Sequence, residues 1–398
     1  MTQATHPFRF DGTVSEAVLR AYLSRAATLT VCEPGRTPKP GSAPWIGRFL
    51  SRTGTKYVCR FGCAWDPSAR DEADYPWHRA LIEELHAMDP ELLFEACLFE
   101  HVTTGVEGIP VPPETFEAYG LPVETRHFRY ADMVSDFGRD HWAPGRSVPD
   151  ITKIETQMFF FTRACRYIEL GYEAFHMGQI YLIGRLDAAG GYACYTDLCN
   201  RIRDYARVHA RRHAVLLNAH IHGITGTDGK LLLDFHMWPA RFKELDPQPD
   251  FPMPASVFPG YLDSIYGDSL GGMTHFGWSC AHLPYLVEID NWGCREPQYF
   301  GVADPAGFHV WGYDDISWFA NQTKENRAKI LMDISTRVRE LDEDGYFAMP
   351  GERIAFIHDA DRKRITYYYY AYSSESCPQG MDDEEAIAAV FRSRPVGQ

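Results

Sequence analysis

The chain has 398 residues, 45% of them hydrophobic and 23% charged, with a formal net charge of −15. That length can bury a large core, either as one barrel or as two domains. The acidic balance argues against nucleic acid or an anionic membrane as partner, because each demands a basic face.

The opening stretch MTQATHPFRFDGTV has no basic segment followed by an apolar one, so no secretory leader is expected and a cytoplasmic location is. Thr13-Val14-Ser15-Glu16 reads as a capping box, followed by Val18, Leu19, Tyr22 and Leu23 at helical spacing. Strands are predicted over residues 27–32, 56–65 and 92–102, with an amphipathic helix over 75–88. Residues 103–150 are rich in Pro and Gly and lack periodicity. A connection of that length is rarely idle in a compact domain and reads as a functional loop or subdomain. A helix over 153–170, a strand over 174–183 and a helix over 195–211 follow. Two more strands, 214–222 and 231–238, are separated only by a short link. A second long loop, 239–282, precedes the apolar run 283–287, which delivers Glu288, Asp290 and Trp292. Residues 308–313 make an eighth predicted strand, 324–341 a long helix, 353–372 a hairpin with a Tyr-rich second arm, and 382–392 a short helix.

Eight strands that mostly alternate with helices, each ending in polar or aromatic residues, form the pattern of an α/β protein of the (β/α)8 TIM-barrel type. Its site lies at the carboxyl ends of the strands. The missing helix between the fifth and sixth strands is a departure, and a two-domain doubly wound fold is the alternative. The expected organisation is a barrel over 1–350, with insertions at 103–150 and 239–282. A β-hairpin and short helix over 351–398 then cover the barrel base or pair with a second subunit, with the tyrosines exposed.

On a barrel, the strand ends converge. The second supplies Arg60 and Trp65, the third Glu100 and His101, and the fourth His176 and Gln179. The fifth brings Asn218, His220 and His222, and the sixth Asp234, His236 and Trp238. The seventh adds Glu288, Asp290 and Trp292, and the eighth His309, Trp311, Tyr313 and Asp314. Paired carboxylates in an aromatic cleft are what glycoside hydrolysis requires, one protonated to assist the leaving oxygen and one ionised to attack or to activate water. Glu100 and Glu288 are the first choices, because the third and seventh strands face one another across a barrel; Asp234 and Asp290 are the substitutes. The plainer reading of any one of these acids is a helix cap or an ion pair with Arg60. Apart from His309, the remaining strand-end residues are expected to bind substrate hydroxyls or stack on sugar rings. Glu95, mid-strand and of opposite parity to Glu100, reads as structural.

His220-Ile221-His222 points two imidazoles the same way, and with Asp234 and His236 it offers a metal-dependent hydrolase or sugar isomerase as the alternative. A barrel that binds carbohydrate without catalysis is the second alternative. The glycosidase reading needs no cofactor and no metal. The 10 cysteines contain no CxxC pair and suggest reduced thiols. Gly267–Gly272 lacks the setting and the Lys of a phosphate loop, and Ser279-Cys280 has no evident base. The basic run 201–212 reads as a solvated helix face.

The stretches MGQIYLIG, ARRHAVLLNAHIHG, LLLDFHMWP, GYLDSIYGDSLGG, LPYLVEIDNWG and HVWGYDDISWF together resemble an uncharacterised bacterial TIM-barrel family similar to glycoside hydrolases. The resemblance covers most of residues 13–350. It implies a cytoplasmic, sugar-active barrel and attaches neither a substrate nor a catalytic pair.

Overall fold

The computed structural model describes residues 6–32, 42–240, 243–244, 255–256, 269–290, 315–358, 364–373 and 377–397. Eight parallel strands close into a ring: β1 Ala26–Leu29, β2 Tyr57–Gly62, β3 Leu93–Cys97, β4 Ala174–His176, β5 Leu216–Ala219, β6 Phe235–Pro239, β7 Tyr285–Glu288 and β8 Gly345–His358. β1 pairs with both β2 and β8, which completes the barrel. A ninth strand, β9 Arg364–Tyr370, lies outside the ring, antiparallel to β8.

The barrel follows from strands that are apolar on both faces. Every residue of β1, β2, β3, β5 and β7 is buried, as parallel strands wrapped by helices require. Side chains alternate between two cores. Tyr57, Cys59, Leu93, Leu216, Phe235 and Leu286 fill the barrel interior, whereas Val58, Phe94, Leu217 and Val287 face the helices. Inward of Leu286 by the same parity comes Glu288, so β7 carries its acid toward the barrel axis.

The interior is closed at its amino end by helix α1, Glu16–Leu23, whose Leu19, Tyr22 and Leu23 join the inner core with Phe8 and Val14. The capping residue is Ser15, whose hydroxyl accepts from the Val18 N–H, rather than Thr13. Helix α2, Ala43–Thr53, is absent from the sequence-based expectation. Its Pro44 sits in the first turn, and Ile46, Phe49, Leu50 and Thr53 form the buried stripe. α3 Ala69–Met88, α4 Ile154–Leu170 and α5 Ala193–His209 follow β2, β3 and β4. No helix separates β5 from β6, as the short link implied.

Several strands are shorter than expected. β4 ends at His176 because Gly178 takes a left-handed φ of +62° and the chain turns into the short helix Ile180–Ile183. β6 starts only at Phe235. The predicted strand over 308–313 lies outside the described residues, and the ring is closed instead by β8, after helix α6 Lys324–Leu341. β8 thus serves as eighth barrel strand and as first arm of the hairpin. The tyrosines of β9 are not simply exposed. Tyr369 is fully buried and donates to Asp383 Oδ2 at 2.7 Å, an oxygen that Arg327 Nε also reaches at 2.7 Å. Asp383 is the cap of the last helix, α7 Glu384–Arg392, which packs on α2 and α6. Among the described residues no helix is long and apolar enough to cross a membrane.

Candidate active site

A cavity of about 550 Å³ lies at the carboxyl ends of the strands. Three acids border it, Asp66 after β2, Glu100 after β3 and Asp290 after β7, with Arg60 from β2, Arg353 from β8, and His176 and His220 from β4 and β5. Trp65, Phe99 and Trp142 supply aromatic faces. Trp65 and Trp142 meet edge to face at 5.6 Å.

Arg60 reaches the cavity by a distortion of its strand. Its backbone is left-handed (φ +55°), and the pairing of β2 with β3 slips between Val58 and Gly62. The bulge turns a position that would face the helices toward the axis. A buried non-Gly residue in this conformation costs about 1–2 kcal/mol. What holds it is visible: the Arg60 N–H donates to Glu95 Oε1 at 2.9 Å, and Glu95 Oε2 accepts from Tyr57 and Asn218 at 2.6 Å each. Glu95 is structural, as its parity indicated.

Below the cavity two guanidiniums and two carboxylates interlock. Arg60 donates to Glu288 through Nε at 3.1 Å and through Nη2, and that Nη2 lies 3.7 Å from Asp290 Oδ2. Arg353 donates from Nη1 to Glu288 Oε2 at 2.8 Å and from Nη2 to Asp290 Oδ1. Thr28 adds a hydroxyl to Glu288 Oε2 at 3.3 Å. Burial pushes the Glu288 carboxyl up, but Arg60 beside it, with Arg353, holds it below its ordinary value. Glu288 is therefore a fully buried carboxylate with both oxygens engaged, and it is not part of the cavity wall. Asp290 is.

Glu100 is held differently. Its Oε2 accepts from the Gln179 N–H at 3.0 Å and its Oε1 from the Gln179 amide at 2.9 Å, both neutral donors. The backbone approach that makes this possible is glycine-dependent: a Cβ on Gly178 would overlap Glu100 Oε2. Trp65 is oriented from behind by His101. The two rings stack at 4.8 Å, and His101 Nδ1 donates to the Trp65 carbonyl at 2.7 Å.

Of the expected site residues, Glu100, Asp290, Arg60, Trp65, His176, Gln179 and His220 border the cavity. Glu288, His101 and Asn218 stand one layer behind it. Trp238 stacks on His220 at 5.9 Å and lies tilted against His222 at 5.4 Å, beside the cavity rather than on it. His236 is buried, with its pKa pushed down to about 3 by burial and by His222. Asp234 is not brought to the site: it accepts from the Leu217 N–H at 2.8 Å and pairs with Arg203 of α5 at 3.4 Å. Trp292, Trp311, Tyr313, Asp314 and His309 lie outside the described residues. Sequence reasoning missed Arg353, Trp142 and Asp66. Arg353 stands beside Glu352 as one of two buried charges in a mostly apolar strand, a signal that was available once β8 was placed in the ring.

The metal alternative can be tested on geometry. Its proposed set does not converge, because Asp234 faces α5. A different trio, His220, Glu288 and Asp290, offers ligand atoms all within 4.8 Å of one another. Yet Arg60 Nη2 lies 3.2 Å from His220 Nε2, contacts Glu288 and sits near Asp290. The cation among these three residues is the guanidinium.

No family model matches the chain, and no curated protein does. Similar solved structures are glycoside hydrolases. The glycoside hydrolase domain of PelA from Pseudomonas aeruginosa is 10% identical over 85% of this chain and 97% of that one, with a TM-score of 0.35. An α-galactosidase from Thermus thermophilus is 14% identical over 56% of this chain, with a TM-score of 0.30. A β-L-arabinopyranosidase from Geobacillus stearothermophilus is 11% identical over 55%, with a TM-score of 0.31. The chain spans only 45% and 54% of the length of these last two. No residue role is carried over from any of them.

Proposed function

We infer that the protein is a glycoside hydrolase-like enzyme that cleaves a glycosidic bond in a small oligosaccharide or glycoside by carboxylate acid/base catalysis. The observation that carries this reading is the pair Glu100 and Asp290, set on strands three and seven and bordering one cavity with Trp65, Phe99 and Trp142. Hydrolysis at an anomeric centre needs one carboxyl that can hold a proton and one that stays ionised. Asp290, answered by Arg353 and Arg60, suits the ionised partner. Glu100, which no guanidinium reaches in the contacts above, takes the proton-donor role in this reading. Glu288 then acts in support, neutralising the two guanidiniums and fixing them against Asp290. Indole and phenyl faces suit the C–H faces of pyranose rings.

Incubation with a panel of aryl glycosides, followed by release of the aryl alcohol, tests the reading. Turnover of at least one glycoside by the wild type, lost in Glu100→Gln and in Asp290→Asn, is the expected result. Saturable monosaccharide binding without release from any glycoside would favour a non-catalytic carbohydrate-binding barrel instead.

A further inference from the structure

His176 ends β4 and borders the cavity, yet it is fully buried and its Nε2 has no hydrogen-bond partner among the described residues. A buried nitrogen left unpaired costs about 1–3 kcal/mol and calls for an explanation. The other ring nitrogen is firmly held. His176 Nδ1 lies 2.7 Å from Asn218 Oδ1. The orientation of that amide is fixed by acceptors: Asn218 Nδ2 reaches Glu95 Oε2 at 2.6 Å and the Phe175 carbonyl at 3.3 Å, and a carbonyl can only accept. Asn218 Oδ1 is therefore the atom facing the imidazole, and His176 Nδ1 must carry the proton. Nε2 is left with a lone pair.

The same chain of contacts keeps the ring in place. Glu95 also fixes the strained Arg60 backbone, so one buried carboxylate sets both the guanidinium and, through Asn218, the imidazole. Burial first, then Arg60 and His220, disfavours a second proton on His176. Of its neighbours, His220 lies edge to face at 4.6 Å and Phe99 at 6.2 Å. Neither ring contact supplies Nε2 with a donor.

We propose that His176 Nε2 is a fixed, neutral hydrogen-bond acceptor that receives a hydroxyl of the sugar bound in the cavity, with its tautomer set through Asn218 by Glu95. This deepens the sugar-hydrolase reading and rests on it for the identity of the donor. A neutral imidazole with a single free lone pair suits a hydroxyl donor. A ligand that lacks a hydroxyl at that place leaves the lone pair buried and unpaired, so the residue selects among sugars as well as holding them.

Neutron diffraction from deuterium-exchanged crystals of the full chain tests the tautomer without any substitution. Deuterium at Nδ1 and none at Nε2 is expected; a deuteron on Nε2 overturns the proposal. Crystals soaked with xylose, glucose or galactose test the partner, with a hydroxyl expected within about 3 Å of Nε2 and its deuteron directed at it. A sugar seated in the cavity that gives Nε2 no donor overturns the hydroxyl contact while leaving the hydrolase reading intact. If no sugar enters the cavity, the carbohydrate reading fails and the hydroxyl partner with it, whatever the tautomer. In solution, His176→Leu should weaken binding of the same sugar about tenfold. His176→Gln, which retains an acceptor, should recover part of that loss, and equal loss in both variants counts against an acceptor role.

Discussion

Replacing Glu288 by Gln separates two roles that a buried carboxylate can have here. The substitution keeps the shape of the side chain and removes one negative charge from a group that accepts from Arg60, Arg353 and Thr28. Among the described carboxylates, Asp290 is then left to answer two guanidiniums, each about 95% buried. Removing one partner of a buried ion pair costs about 3–5 kcal/mol, and the surviving carboxylate places this case near the lower end, about 3 kcal/mol. With an unfolding entropy of about 2.1 cal/mol/K per residue over 398 residues, that is a fall in Tm of about 4 °C. The pH dependence has a definite sign. A carboxyl depressed in the folded state contributes stability that is present above its ordinary value of 4.5 and is lost as pH falls through the lower folded value. The gap between wild type and variant is therefore widest near neutrality and closes below 4.5. Calorimetry at three pH values measures it. Turnover, assayed well below both midpoints, should survive in Glu288→Gln and fall about 10²- to 10⁴-fold in Asp290→Asn. An unchanged Tm together with complete loss of turnover in Glu288→Gln would refute the reasoning and make Glu288 the reacting group.

Three further outcomes follow from the same geometry. His78 and His86 are each pushed down to about 4, by burial first and then by Arg163 and Arg211 respectively, so both stay neutral in the fold while the unfolded chain takes up protons near 6.5. Each should cost up to about 1.4 kcal/mol per pH unit as pH falls from 6.5 toward 4, and a urea midpoint that is flat across that window contradicts it. Gly178→Ala should cost about 1–2 kcal/mol for its left-handed backbone and also dislodge Glu100. Turnover should then fall well below that of Gly54→Ala, a left-handed position with open space around it; equal turnover in the two variants would remove the cradle from the site. Dialysis against a chelator should leave turnover and Tm unchanged, because Arg60 Nη2 occupies the centre of the His220, Glu288 and Asp290 trio; activity lost on dialysis and restored by a divalent ion would reverse that reading.

Much of the barrel was legible because its strands are short runs apolar on both faces, a pattern that a one-sided sheet does not produce. β1 to β7 are found in the sequence at nearly their true places. Their ends are not, since Gln179–Ile183 and Leu231–Asp234 continue the apolar run after or before the pairing stops. The eighth strand was sought in 308–313, an aromatic-rich run, so Arg353 was left in the tail. That placement hid one of the two guanidiniums of the charge cluster. Glu288 was singled out as a long carboxylate at the end of its strand, but its neutralisation by two arginines depends on a bulge at Arg60 and on β8, neither of which has a local signal. Trp142 sits in an excursion without periodicity, and nothing in its neighbours announces that the excursion folds back over the strand ends.

The most direct test of the central claim is a structure of the Asp290→Asn variant with an intact glycoside bound. The glycosidic oxygen is expected beside Glu100, with the anomeric carbon facing position 290 and a pyranose face on Trp65 or Trp142. The distance between the two carboxyl groups then fixes whether the reaction retains or inverts configuration. A glycoside bound with its anomeric carbon remote from both Glu100 and position 290 would contradict the claim.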